Sequence, residues 1–323
     1  MSLLEKATLI TTPTAHSNGT LHSIKGGAVA DFDVVRGSAA TRVNAEGLIE
    51  DIATNIPRID YTDGTASILL EPQSTNLIVN SELNNVENIV VSAVSHTISF
   101  YGTGSITLSG THAATLSGTG ANDRVTLTFT PSAGTLICTD SGSVDKKQVE
   151  ALSYSTSYIP TSGAIATRLA DSVTGAGDAT TFNSTEGVLY AEIAALVDDL
   201  TFRSISLSDG TTSNRCVLRY GGTTNRVNVL ISSEGLITFD NNFTLTEITD
   251  FNKIAVKYKQ DDFALWVNGV EVVTDTSGNT PIGLNELAFD VGDGGLPLYG
   301  KVKSVITFDT ALTDAELTCL TTI

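Results

Sequence analysis

Apolar and polar positions alternate most regularly over Lys253 to Val273. Ile254, Val256 and Tyr258 are interleaved with Ala255, Lys257 and Lys259, a period of two that gives a strand one apolar and one wetter face. Gln260, Asp261 and Asp262 break the run, and Phe263, Leu265 and Val267 restart it. Asn268-Gly269 then supplies a tight turn before Val270 and Val272, because both residues tolerate the positive φ that a two-residue hairpin of the favoured hand requires. Trp266 is out of phase with Phe263, Leu265 and Val267, so it falls on the opposite face of the same strand, beside Asn268.

The same period recurs through the C-terminal part. Gly187–Ile193, Phe202–Leu207, Cys216–Tyr220, Val227–Ile231, Leu287–Phe289 and Val302–Phe308 all read as short strands, separated by turn signals such as Asp209-Gly210. That spacing predicts an antiparallel sandwich over 169–323. Thr313-Asp314-Ala315-Glu316 is a capping box, which predicts one short C-terminal helix through Leu317 and Leu320.

Upstream, 83–168 reads as a small Ser/Thr/Gly-rich β-sandwich with its linker. Thr107-Leu108-Ser109-Gly110-Thr111 recurs as Thr115-Leu116-Ser117-Gly118-Thr119, a spacing of eight that fits one strand and one turn. Residues 1–82 read as β-hairpins: Pro57 sits at a bend, Asp63-Gly64 is a turn, and Pro72 ends a strand because it cannot donate to the ladder. Within that region 1–45 offers little apolar surface of its own and is expected to pack on a neighbouring chain or protein. The fold class expected is all-β throughout.

Composition agrees, with aromatic residues at 6% and charged residues at 17%, a mixture suited to many short strands. No apolar run approaches the ~20 residues of a membrane span, and the first ten residues, with acidic Glu5, do not read as a signal peptide. The expectation is a protein made in the cytoplasm with no membrane insertion. The net charge is −18. Residues 1–169 carry 15 acids and 9 bases (−6), and 170–323 carry 21 and 9 (−12). Such a chain is repelled by phosphate backbones, which argues against nucleic acid as a partner. Cys138, Cys216 and Cys319 are scattered without metal-ligand spacing and read as buried small hydrophobes.

One segment is more specific. Ala40-Thr41-Arg42, then Gly47-Leu48-Ile49-Glu50, Pro57-Arg58, Asp60-Tyr61 and Leu69-Leu70-Glu71-Pro72-Gln73-Ser74-Thr75-Asn76-Leu77 stand in fixed order, and a second Ala-Thr-Arg follows at Ala166-Thr167-Arg168. This order resembles a signature of bacteriophage virion proteins, tail fibres among them. The C-terminal part, with its Trp-Val-Asn-Gly hairpin and closing Leu-Thr-Asp-Ala-Glu-Leu, resembles the concanavalin A-like (laminin-G/pentraxin-type) jelly rolls. The resemblance implies a virion location, a tail fibre or a head fibre or decoration, with 1–82 as an attachment and oligomerisation region. It also implies other virion proteins and sister subunits as partners, a trimer being the habit of fibres, and a host-surface glycan as the ligand of the jelly roll. A strut that contacts only virion proteins is the alternative, and a polysaccharide depolymerase is a third.

The candidate residues follow from these readings. Trp266 and Asn268 are the candidate carbohydrate-binding pair, an aromatic platform beside a planar amide, with a buried core position as the competing reading for Trp266. Asp290, Asp293 and Asp209 are candidate calcium ligands, competing with a role as caps of backbone amides; no cofactor is otherwise required. Arg42, Arg58, Asp60 and Glu71 are expected to form an ion-pair set that fixes the signature loops, with sugar or phosphate binding by the arginines as the competing reading. No enzyme motif stands out: no Glu is followed two residues later by Asp, as one glycosidase pattern of this fold requires, and there is no Gly-x-Ser-x-Gly or His-Glu-x-x-His.

Overall fold

Asn252–Lys259 pairs with Phe263–Val267, which pairs in turn with Val270–Asp275, as the alternation predicts. Asn268 (φ 48°) and Gly269 (φ 87°) both adopt the left-handed conformation that this turn requires. In this computed structural model, which describes residues 2–323, the three strands form one edge of a large sheet. From the far edge, the sheet runs Ser172–Val173, Phe32–Val35, Thr20–Ser23, Ala7–Ser17, Gly300–Phe308, Glu186–Ala195 and then the hairpin strands. A five-stranded sheet shares its core, in the order Leu236–Thr244, Arg226–Ser233, Arg215–Tyr220, Arg203–Ser208 and Glu286–Ala288. The fold is the expected all-β sandwich. Leu236–Thr244 is an additional edge strand, hidden from a period-two reading because the polar run Asp240-Asn241-Asn242 falls inside it.

The N-terminal segment is placed differently from its expectation. Leu9, Ile10 and Thr11 pair with Thr307, Ile306 and Val305, and Ile68–Leu70 pairs with Val302–Gly300 on the same strand. Leu9, Leu21, Phe32 and Val34 are buried in the core that also holds Leu189, Leu265 and Val302. The missing apolar surface of 1–45 is thus supplied within the chain, by strand addition to the C-terminal sandwich. A four-residue helical turn, Leu3–Lys6, precedes the first strand with its own capping box from Ser2 and Glu5, so among the described residues a second α-helix joins the expected C-terminal one, with a 3-10 turn at Gly27–Ala30. Lys6, the last residue of that turn, pairs with Glu316 in the capping box of the C-terminal helix.

The C-terminal helix Asp314–Thr321 forms as expected, with Thr313 and Glu316 in reciprocal capping bonds. It covers the outer face of the large sheet, where Trp266, Tyr190, Ile10, Phe308 and Leu317 make a second apolar layer. The middle sandwich stacks Gly120–Phe129, His96–Gly102 and Asp145–Glu150 on a sheet of Ala114–Ser117, Ser105–Gly110, Gly134–Ser141 and Val86–Val91. The repeated Thr-Leu-Ser-Gly-Thr strings become neighbouring strands, with Thr107 opposite Thr115. Cys138 and Cys216 are buried as expected, but Cys319 is exposed, because it lies on the solvent side of the C-terminal helix.

Candidate functional site

The signature residues converge where the three segments meet. Arg58 bonds both Glu71 and Asp171, with all three side chains almost wholly removed from solvent. Arg36 Nη1 lies 2.9 Å from Asp171 Oδ1, and Arg168 Nη1 lies 3.0 Å from Glu71 Oε2. The Arg168 contact is ionic more than directional, since neither its Nη1 nor its Nε makes a well-aligned hydrogen bond. Burial alone would raise the Glu71 pKa, but Arg168 and Arg58, together with Ser157, hold it down at about 2. Glu71 Oε1 accepts from the Ser157 backbone at 2.7 Å, and the Ser157 hydroxyl donates to Oε2 at 2.7 Å. The Glu71 and Asp171 backbones also bond each other's segments, Asp171 N–H to Glu71 O at 2.9 Å and Glu71 N–H to Asp171 Oδ2 at 2.9 Å.

The neighbouring signature positions do similar work. Asn76 Nδ2 donates to Lys147 O (3.1 Å) and Ile159 O (2.9 Å), while its Oδ1 accepts from the Val149 and Ile78 backbones. Ser74 donates to Glu150 at 2.6 Å, and Ser74–Asn76 pairs with the second Ala-Thr-Arg, Ala166–Arg168. Thr41 of the first Ala-Thr-Arg donates to Tyr158 O at 2.6 Å. The expected ion-pair set is therefore present in part. Arg58 and Glu71 pair directly, whereas Arg42 pairs with Glu50, and Asp60 accepts from the Val43 and Thr62 backbones at 2.9 and 3.0 Å. Arg36, Arg168 and Asp171 complete the network and were not indicated by the signature's local order; the repeated Ala-Thr-Arg was the one available hint.

Over this network lies a cleft of about 350 Å³, at the low end of the range typical of small-ligand sites. Its walls come from all three segments: Arg42 and Asp60 of the signature, Tyr101 and Arg124 of the middle sandwich, and Leu196 and Lys301 of the C-terminal sandwich. Arg124 donates from Nη1 to Thr156 O (2.6 Å) and from Nη2 to Ser99 Oγ (2.8 Å). Its guanidinium carbon sits 5.9 Å from the Tyr101 ring centre. Lys301 pairs with Asp63. Neither Tyr101 nor Arg124 carries a sequence signal, since both sit in an unremarkable Ser/Thr-rich alternation.

The other candidates are not brought together here. Trp266 is 5% exposed, packed beneath the C-terminal helix and the Ala7–Ser17 strand, and its Nε1 has no partner. It cannot serve as an open platform for a sugar ring, because the helix covers the face it lies on. Asn268 holds the hairpin turn: its Oδ1 accepts from the Lys253 backbone and its Nδ2 donates to Asn252 Oδ1, both at 2.9 Å.

Asp290 and Asp293 line a separate open hollow of about 420 Å³ with Glu286 and Gly210, while Asp209 lies outside its lining. Each aspartate spends an oxygen on a backbone amide: Asp290 on Gly292 (2.6 Å), Asp293 on Gly295 (3.0 Å) and Asp209 on Thr211 (2.9 Å). Asp209 also accepts from Asn214 at 2.9 Å, and these bonds outweigh burial and lower its pKa. Burial and the nearby Asp290 raise the pKa of Glu286. Among the described residues no group of three or more His, Cys, Asp or Glu side chains is arranged to hold a metal ion. The three aspartates therefore fit amide caps better than a calcium shell.

No protein-family model matches the sequence. A search of curated proteins also returns no match. Solved structures similar in fold include the carbohydrate-binding module CBM40 of the Ruminococcus gnavus IT-sialidase, bound to α2,3-sialyllactose, at 17% identity and a TM-score of 0.38, over 46% of this chain and 92% of that one. Leech intramolecular trans-sialidase is similar at 16% identity and a TM-score of 0.38, over 44% of this chain and 24% of the enzyme. A botulinum neurotoxin type C structure, described as interacting with two ganglioside molecules, is similar at 10% identity and a TM-score of 0.36, over 47% of this chain and 39% of that one. Similarity this distant goes no further than a shared β-sandwich and carries no conclusion about function.

Proposed function

We propose that the chain is a non-enzymatic structural protein of a bacteriophage virion, a tail fibre or a head fibre or decoration, that attaches to host-surface glycans through the cleft between its sandwiches. The virion assignment rests on the resemblance of the Ala40–Leu77 signature. The observation that carries the binding role is the cleft itself: a concave space walled by Tyr101, hydroxyl-bearing residues and guanidinium groups. An aromatic face with a few fixed polar groups is the usual means of holding a sugar ring. The buried arginine–carboxylate network beneath ties the signature to the linking segment, and Arg124 bonds that same segment at Thr156, so part of the ordering cost of binding is met in advance.

The non-enzymatic reading is supported by the carboxylates that line the cleft. Glu71 is tied to two arginines and held near a pKa of about 2, so it has no proton to give at neutral pH. Asp60 has an oxygen bonded to each of two backbone amides. Neither is free to act as the general acid that glycoside hydrolysis needs. Attachment to the particle and to sister subunits would use the outer surfaces, since the N-terminal strands are consumed in the fold.

A strut contacting only virion proteins is the second reading. It is favoured by Val86–Val91, which pairs only with Gly134–Ser141 and presents Val86 and Val90 to solvent, Val90 at 82% exposure. An edge strand with exposed β-branched residues suits strand addition by another chain. A glycan array probed with the full chain, with and without calcium, separates the two: binding to host polysaccharide supports attachment, and its absence under both conditions supports the strut.

A further inference from the structure

The charges around the cleft point to a kind of glycan. In a chain of net charge −18, this is a place where cations outnumber acids: Arg42, Arg124 and Lys301 line it against Asp60 and Glu71. Arg42 and Lys301 are already paired, with Glu50 and Asp63. Arg124 is not. Its two bonds go to a neutral carbonyl and a neutral hydroxyl, and its Nε is buried without a partner. Behind the wall, Arg36, Arg58 and Arg168 are taken up by Asp171 and by the same Glu71, which leaves Arg124 as the lining cation with no acid partner. A charged group held near a protein surface in a partly dry cleft acts more strongly than one in open water.

We propose that the cleft selects acidic saccharides, with Arg124 meeting the sugar carboxylate and Tyr101 supplying the ring-stacking face. This rests on the glycan-binding reading above and narrows it to a ligand class. A guanidinium suits a carboxylate because its fixed fork of donors matches two oxygens, and Arg124 has donors left beyond the two in use. The Thr156 and Ser99 bonds hold the fork still, so little side-chain freedom is lost on binding. The same geometry gives a neutral glycan no charge to set against the Arg124 guanidinium.

The test uses the full chain and isothermal titration with three probes: polygalacturonate hexamers, hyaluronate hexamers and neutral maltohexaose. At least one acidic hexamer is expected to bind at least tenfold more tightly than maltohexaose, with an affinity that falls as sodium chloride is raised. Arg124→Ala should weaken that binding at least tenfold, and Arg124→Lys, which keeps the charge but loses the fork, should fall in between. Because Arg124 also holds the linking segment, Tyr101→Ala serves as a second variant that leaves the Thr156 bond in place; it should weaken acidic binding as well. Thermal melts confirm that each variant is folded. Equal binding of maltohexaose and the acidic hexamers, or acidic binding indifferent to both variants, overturns the acidic selectivity while leaving glycan attachment standing. Failure of every saccharide, here and on the array, overturns both.

Discussion

Arg168 Nη1 lies 3.0 Å from Glu71 Oε2, joining the second Ala-Thr-Arg element to the end of the first signature segment inside a site closed to solvent. Arg58 bonds the same carboxylate and reaches on to Asp171, which Arg36 also bonds, so five charged side chains from distant stretches share one network. Buried ion pairs need not add net stability relative to apolar replacements, but breaking one leaves an unpaired buried charge. Arg58→Met should therefore cost about 3 kcal/mol, the low end for breaking a buried pair, because Glu71 and Asp171 each lose a partner but keep Arg168 and Arg36 respectively. Urea unfolding followed by circular dichroism measures it, and a cost below about 1 kcal/mol would mean the network is not what locks the junction.

The network also sets a pH dependence. Glu71 ordinarily titrates at 4.5 and in the folded chain at about 2, so folding favours its charged form. Its contribution is fully present above about pH 4.5 and is lost as pH falls towards about 2, because the unfolded state takes up the proton first. Glu71→Gln is expected to be less stable at neutral pH and to lose part of the acid-dependent fall in stability over that window. Parallel stability-versus-pH curves for the two proteins would refute this assignment.

Trp266 is the only tryptophan, which makes the layer beneath the C-terminal helix directly visible. Its emission should be blue-shifted and poorly quenched by acrylamide, and saturating glycan should leave it unchanged. Deleting residues 1–17 removes Ala7 and Ile10 from that layer and uncovers one side of the Gly300–Phe308 strand. The truncated chain should show a red-shifted emission and a lower melting temperature.

The hairpin turn can be separated from ligand binding. Gly269 sits at φ 87°, and a Cβ there would lie 3.2 Å from Thr322 Oγ1. Gly269→Ala should cost about 1–2 kcal/mol, the usual penalty for a left-handed L-residue. Saccharide affinity should be unchanged in this variant and in Asn268→Ala, since both positions lie in the hairpin turn, apart from the cleft. A loss of affinity in folded Asn268→Ala would return the hairpin to consideration as the binding site.

The asymmetry between what the sequence discloses and what it conceals has a physical origin. The hairpin, the helix cap and the C-terminal strands are local patterns, written within a few residues, and they formed where expected. Ala7 pairing with Phe308 leaves no such trace, because a strand's partner is chosen by tertiary packing. Trp266 shows the limit of periodicity: its phase correctly placed it opposite Leu265, but phase cannot tell a wet face from one capped by a helix. Arg58 and Glu71 were legible as a pair because the signature puts them close together. Asp171 and Arg124 were not, since each acquires its role only when the segments dock.

Hydrogen–deuterium exchange on the full chain, with and without a host polysaccharide shown to bind, tests the central claim most directly. Binding at the junction should slow exchange in the Thr41–Val43 strand, around Tyr101 and in the Ser155–Tyr158 segment, and leave Phe263–Asp275 unchanged. Protection confined to Phe263–Asp275 or to the Asp290–Gly295 loop, with the junction unaffected, would contradict it.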